Sequence, residues 1–214
     1  DLSITTTGAV TNSGTLQASR RLTIDADGDL TNSGTATAAQ IMISDAADIT
    51  NSGSISAGLN ELLFTTTGDE DSLADLSVDI AAAINSNEGF QGFHAYIPAG
   101  TTPGVIYISI EPPYYFADME ISVAVPTTGS DTQTFTYTST GAYTGRLDIT
   151  GAVEAGDQFR IRAYGDVVIG SSGNKVGSLA NSGSGASITS YDDISVTSSG
   201  AVSNASSAAI TADD

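Results

Sequence analysis

The hydrophobic positions of this chain recur in a fixed phrase. An apolar-polar-apolar triplet is followed by a small polar turn, one more apolar residue and an Asn. Leu2-Ser-Ile4 leads to Val10-Thr-Asn12, Leu22-Thr-Ile24 to Leu30-Thr-Asn32, Ile41-Met-Ile43 to Ile49-Thr-Asn51, and Ile194-Ser-Val196 to Val202-Ser-Asn204. In each copy the Asn stands eight residues after the same apolar position, and the first three Asn are 20 and 19 residues apart. Short alternating runs mark half-buried strands. Two such strands per copy, at this period, are too short for a helical hairpin repeat and suit one coil of a right-handed parallel β-helix, or solenoid. Its coils stack at the interstrand spacing of about 4.8 Å.

Stacking converts the repeat into ladders. Ile4, Ile24 and Ile43 form one buried apolar row, while Asn12, Asn32 and Asn51 align at a turn, where their amides hydrogen-bond from coil to coil. Asn181 and Asn204 continue that ladder. The Ser-Gly after each of the first three Asn supplies a turn residue and a position free to take positive φ.

The phrase stops after Ser54-Ile-Ser-Ala-Gly58 and resumes near Asp166-Val-Val-Ile169, which reaches Leu179-Ala-Asn181-Ser-Gly183 four residues late. All six Phe, seven of the eight Tyr and all five Pro fall between. A thin solenoid filled by small aliphatic residues has little room for large rings, whereas an independent core uses them. The expected organisation is therefore solenoid over 1–58 and 166–214, with 59–165 an inserted globular domain that enters and leaves on one coil turn. Inside the insert, Leu73, Leu76, Ile80 and Ile84 share a face at helical spacing, with Asp71 or Ser72 as cap and 85–89 as terminator. Alternation at 62–66, 92–97, 105–110, 119–125, 133–138, 147–150 and 159–164 predicts strands of an α+β or sandwich-like module. The fold class is mainly β, with one helix.

Composition narrows the chemistry. The 214 residues include 23 Gly and no Cys, so disulfides and thiolate metal sites are ruled out and stability must come from ladders and packing. A formal charge of −19, from 25 acids against six Lys and Arg, argues against binding nucleic acid through its phosphates and against anionic membranes. An acidic surface stays soluble in salt and attracts divalent cations, as suits a secreted surface protein. No apolar stretch is long enough to span a membrane. The chain has neither an initiator Met nor a signal peptide, and it opens and closes beside repeats without a polar capping unit, so a fragment of a longer protein is expected.

The coils resemble the filamentous haemagglutinin family, as in Leu22-Thr-Ile-Asp-Ala-Asp-Gly-Asp-Leu-Thr-Asn-Ser-Gly34. The resemblance covers 1–58 and 166–214 and implies the shaft of a large bacterial exoprotein exported by two-partner secretion. The insert is similar to small β-rich modules of giant bacterial adhesins and phage-tail proteins, through Gly68-Asp-Glu-Asp-Ser-Leu73 and Ala82-Ala-Ile-Asn85. A further phrase of that kind, Val153-Glu-Ala-Gly-Asp-Gln-Phe159, stands near the end of the insert rather than ahead of the helix, a departure from the usual module.

Candidate sites are few. Asp25, Asp27 and Asp29 look like the start of a Ca²⁺ loop, but Leu30 stands where Gly is expected and Ala36 where the bidentate Glu belongs, so a solvated solenoid turn is the favoured reading. Asp69, Glu70 and Asp71 are a second candidate for Ca²⁺, explained equally well as acids complementing a helix N-terminus. No other cofactor is expected. Glu111-Pro-Pro-Tyr-Tyr-Phe-Ala-Asp118 presents Tyr114, Tyr115 and Phe116 beside two acids, a composition suited to stacking on sugars or a partner surface; core residues flanking a bend are the competing reading. Thr132, Thr134, Thr136, Thr138 and Thr140 read as the solvent face of an antiparallel sheet.

Catalysis is poorly supplied. His94 is the sole His and lies in an alternating strand, so a nucleophile-base pair and a zinc site both lack parts. The expected function is structural and adhesive: a stalk segment of a secreted, cell-surface adhesin whose insert projects sideways toward a host or neighbouring cell, with a glycan or protein ligand. Self-association through the solenoid ends, giving an extracellular filament or surface-layer subunit, is the first alternative. A carbohydrate-active solenoid enzyme or phage tail protein is the second.

Overall fold

The structure, a computed structural model, describes residues 1–66, 72–87, 90, 92–110, 118–124, 134–141, 144–151 and 158–213, with backbone alone at 118–124 and 158–159. Contacts divide the chain into two compact units, Asp1–Leu59 with Tyr164–Asp214, and Asn60–Ala163.

In the first unit each coil has three strands. They are β1 (Leu2–Thr6), β2 (Val10–Asn12) and β3 (Thr15–Gln17); β4 (Arg21–Ala26), β5 (Leu30–Asn32) and β6 (Thr35–Ala38); β7 (Gln40–Ser44), β8 (Asp48–Asn51) and β9 (Ser54–Ala57). The repeat phrase predicts only two. The third was hidden because its inward residue is flanked by Ser, Thr or Gln and is as small as Ala36, so the alternation carries little hydrophobic contrast.

After the insert come β17 (Val167–Ile169), β18 (Ser178–Asn181) and β19 (Ser187–Ser190), then β20 (Ile194–Val196), β21 (Val202–Asn204) and β22 (Ala209–Ala212). Equivalent strands pair in parallel, giving three five-stranded sheets: β1-β4-β7-β17-β20, β2-β5-β8-β18-β21 and β3-β6-β9-β19-β22. This is a parallel β-helix. The coil after the insert pairs directly with the coil before it, Val167 opposite Ile41 and Ile169 opposite Ile43. The four extra residues before Asn181 are taken up between β17 and β18, where Gly170 turns with φ +72°.

Alternation does the packing. In β4, Leu22, Ile24 and Ala26 point inward and are buried while their neighbours are half-exposed. Ile41, Ile49, Ile55, Val167, Ile169, Leu179 and Ile188 join them in one continuous core. Each fully buried aliphatic side chain contributes about 1.5–3 kcal/mol, so the apolar rows supply most of the driving force.

The Asn-Ser-Gly turns differ from expectation in one respect. Gly14, Gly34 and Gly53 do not take positive φ; among these turns only Gly183 does, at +130°. Close stacking requires glycine at two of them, Gly34 and Gly53, instead. A Cβ on Gly34 would lie 2.0 Å from the Gly14 carbonyl oxygen, and one on Gly53 2.0 Å from that of Gly34.

The second unit contains β10 (Leu59–Thr65), α1 (Leu73–Ser86), β11 (Phe93–Tyr96), β12 (Val105–Ile110), β13 (Asp118–Ala124), β14 (Thr134–Gly141), β15 (Thr144–Thr150) and β16 (Gln158–Tyr164). Ser72 caps α1, its Oγ accepting from the Asp75 N–H at 3.3 Å. Leu76, Ile80 and Ile84 are buried on one face of the helix, which packs on the antiparallel sheet β11-β12-β15-β14. Asn85 pins the helix to that sheet: its Nδ2 donates to the Ala95 carbonyl and its Oδ1 accepts the Ala95 N–H, both at 2.8 Å. The other sheet, β10-β16-β13, carries Glu61 paired with Arg160 at 3.9 Å and Arg162 at 3.0 Å.

Candidate functional site

The five ladder asparagines lie at the ends of β2, β5, β8, β18 and β21, in register. Each is the last residue of its strand; Asn12, Asn32, Asn51 and Asn181 are buried, while Asn204 in β21 is exposed. Their amides form a chain in one direction. Asn12 Nδ2 donates to Asn32 Oδ1 at 2.8 Å, and Asn32 to Asn51, Asn51 to Asn181 and Asn181 to Asn204 each at 2.7 Å. The same Nδ2 groups also donate to carbonyls of the next coil, those of Thr35, Ser54, Ser187 and Ala209. A buried amide without such partners costs about 1–3 kcal/mol per unsatisfied group, so the satisfied chain lets a polar row occupy the core. The bond from Asn51 to Asn181 joins residues 130 positions apart in sequence.

Asp25 lies near the end of β4, and Asp27 and Asp29 stand in the turn between β4 and β5. Asp25 Oδ1 accepts the Ser44 hydroxyl at 3.2 Å, the Asp27 N–H donates to the Thr6 carbonyl, and the Asp29 carbonyl accepts the Val10 N–H. Asp45, which the sequence did not single out, reaches this turn from the following coil with φ +58°. Partial burial, and then the Asp25 carboxylate beside it, push its pKa up. Among the described residues no group of three His, Cys, Asp or Glu is arranged to hold a metal ion. Asp69, Glu70 and Asp71, like Tyr114, Tyr115, Phe116 and Thr132, lie outside the described residues.

A second acidic contact was also invisible in the sequence, because its members are far apart in the chain. Asp166, at the start of the returning coil, meets Asp192 and Asp193; burial and the neighbouring Asp192 carboxylate push its pKa up to about 7, although the Asp193 N–H hydrogen bond works the other way.

Among the described residues of the second unit, the four-stranded sheet has an open face. Across β11, β12, β15 and β14 the row Tyr96, Tyr107, Arg146 and Thr138 stands in register, beside the row Val105, Asp148 and Thr136. The opposite face holds Ala95, Ile106, Ile108 and Leu147, all buried. His94 is exposed on β11 and stacks on Tyr96 at 5.6 Å between ring centroids, and Tyr96 stacks on Tyr107 at 5.9 Å. Thr134, Thr136, Thr138 and Thr140 are exposed along β14. The signal was present as alternation in His94-Ala-Tyr96 and Ile106-Tyr-Ile108, but strand pairing was needed to bring the rings together.

No helix among the described residues is long and apolar enough to cross a membrane. The Haemagglutinin repeat family model matches residues 1–69 and 125–206. No curated protein and no solved structure matches the chain. The family match takes in the coils from β1 through β21, and the coils themselves are repeats stacked in register around an Asn ladder. Matched over most of its length, the chain belongs to the haemagglutinin repeat family.

Proposed function

We propose that this chain is a shaft segment of a secreted bacterial surface adhesin, in which a stiff solenoid carries the inserted unit as the part presented to a cell or surface. One observation carries the reading. The coils continue across the insert without a change of register, so that Asn51 bonds Asn181 as Asn32 bonds Asn51. Shaft continuity therefore asks nothing of the insert except that its ends be held together, and its surface is left to bind. Membership of the haemagglutinin repeat family supports a structural, non-enzymatic role and an extracellular setting.

The test is attachment. Beads coated with the full chain are expected to adhere to bacterial or epithelial cell layers, and beads coated with a chain lacking 60–163 are expected not to. Equal adhesion by both would place the binding surface on the coils instead. Self-association through the solenoid ends is a second reading, since an unpaired sheet edge is a template for pairing with another chain. Fibres that lengthen with protein concentration in electron micrographs would favour it over the shaft.

A further inference from the structure

The open face of the four-stranded sheet holds a cavity of about 290 Å³, lined by Thr101, Thr102, Val105, Tyr107 and Arg146 beneath the 99–102 loop. That volume sits at the small end of the ligand-pocket range, about 300–1,000 Å³. The loop is preformed. The Thr101 N–H and hydroxyl both donate to the Pro98 carbonyl, at 3.1 and 2.6 Å, and Gly104 follows with its backbone pressed so closely on the Ile149 carbonyl that a Cβ would lie 2.3 Å from that oxygen. A rim fixed before binding lowers the ordering cost of a ligand.

We propose that this face binds a neutral pyranose, as the terminal or branch sugar of a glycan, stacking it against Tyr107 and Tyr96 and hydrogen-bonding its hydroxyls to Arg146 and Asp148. The proposal names the ligand class for the adhesive reading and rests on it. Three features select the class. First, Tyr96 remains 40% exposed, and His94 beside it is exposed too, so this file of rings gains little from burial as a purely structural device. Tyrosine rings instead offer apolar faces with a polar tip at low entropic cost, which suits the C–H face of a sugar.

Second, Arg146 Nε and Nη2 both donate to the same Asp148 oxygen, Oδ1. Asp148 Oδ2 and the Arg146 Nη1 protons take no part in that contact, which leaves an acceptor and donors for sugar hydroxyls, groups that donate and accept at once. Third, the pair is neutral as a unit and the chain carries −19, so its field repels uronates and sialates and leaves uncharged sugars unaffected.

The test is saturation-transfer NMR on the full chain with methyl β-D-galactopyranoside, methyl α-D-mannopyranoside and methyl β-D-glucopyranoside, and with glucuronic acid as the anionic comparison. At least one neutral glycoside is expected to bind through its ring protons. Tyr96→Ala and Arg146→Met are expected to weaken it by about tenfold or more, while Tyr191→Ala, at an exposed tyrosine on the coils, leaves it unchanged. Both test positions are solvent-facing, and circular dichroism confirms that the variants fold. Absence of binding by all three glycosides, binding of glucuronic acid alone, or full binding by both variants would overturn the site. Cell attachment that survives Tyr96→Ala would leave the adhesin standing and remove the sugar site. Sugar binding without attachment would do the reverse.

Discussion

At the residue scale the structure turns on one side chain repeated coil after coil. Asparagine fits because its amide donates twice and accepts at Oδ1, so each copy serves the coil behind and the coil ahead. Replacing Asn51 with Ala removes the acceptor for Asn32 and the donor to Asn181 in a buried row. A loss of about 2–4 kcal/mol is expected from leaving such groups unsatisfied, read by chemical denaturation; a change within error would mean that the ladder is incidental. The ladder was legible in the sequence because the Asn kept phase with the apolar rows. Asp166 was not, since nothing in Gly165-Asp-Val predicts that Asp192 and Asp193 will lie beside it.

Asp166 also sets a pH dependence. Its pKa in the fold, about 7, lies above the ordinary 3.8, so the folded chain binds the proton more tightly than the unfolded chain does. Stability then falls as pH rises between those two values and levels off above the upper one. The denaturation midpoint is expected to drop as pH is raised from 5 to about 8, and Asp166→Asn, neutral at every pH, is expected to flatten that slope and stabilise the chain at the alkaline end. The comparison with wild type separates this contact from general repulsion among the acids. An identical slope in both proteins would contradict the assignment.

At the scale of elements, strands with high hydrophobic contrast could be read directly and those without could not. Leu22-Thr-Ile24 announced β4, whereas Thr35-Ala-Thr-Ala38, the third side of the same coil, has the right alternation but too little apolar bulk to stand out. The helix was legible because Leu76, Ile80 and Ile84 repeat at helical spacing and Ser72 caps them. The turn glycines illustrate the opposite case. Sequence chemistry suggested a special φ, but the requirement comes from the neighbouring coil. Gly53→Ala must displace a carbonyl and is expected to cost about 1–3 kcal/mol. Gly14→Ala, with no atom within 4 Å of the added carbon, is expected to stay within about 0.5 kcal/mol of wild type. Thermal melts of the two variants give the comparison, and equal effects would show that backbone conformation rather than stacking selects glycine.

At the scale of the whole molecule, the aromatic and proline content of residues 59–165 separated two kinds of core, since rings that fill a globular centre have no place among Leu, Ile, Val and Ala rows. What the sequence could not supply was the pairing across the insert, because the contact between coils is set by three-dimensional return of the chain and not by spacing. A chain in which 60–163 is replaced by a short flexible linker is expected to keep the parallel β circular-dichroism signature and a cooperative melt. Loss of both would tie solenoid folding to the insert.

The most direct test of the account is a disulfide across that return. The chain has no cysteine, and Thr50 lies opposite Ala180 in the parallel pairing of β8 with β18. Neighbouring parallel strands lie about 4.8 Å apart, within the Cα separation of about 4.4–6.8 Å that a disulfide accepts. Thr50→Cys combined with Ala180→Cys is expected to oxidise readily in the folded protein, with a mobility shift on non-reducing gels that is absent for Thr31→Cys with Ala180→Cys, one coil further away. Crosslinking of the distant pair as efficiently as the near one, or of neither, would contradict a continuous solenoid running through the insertion.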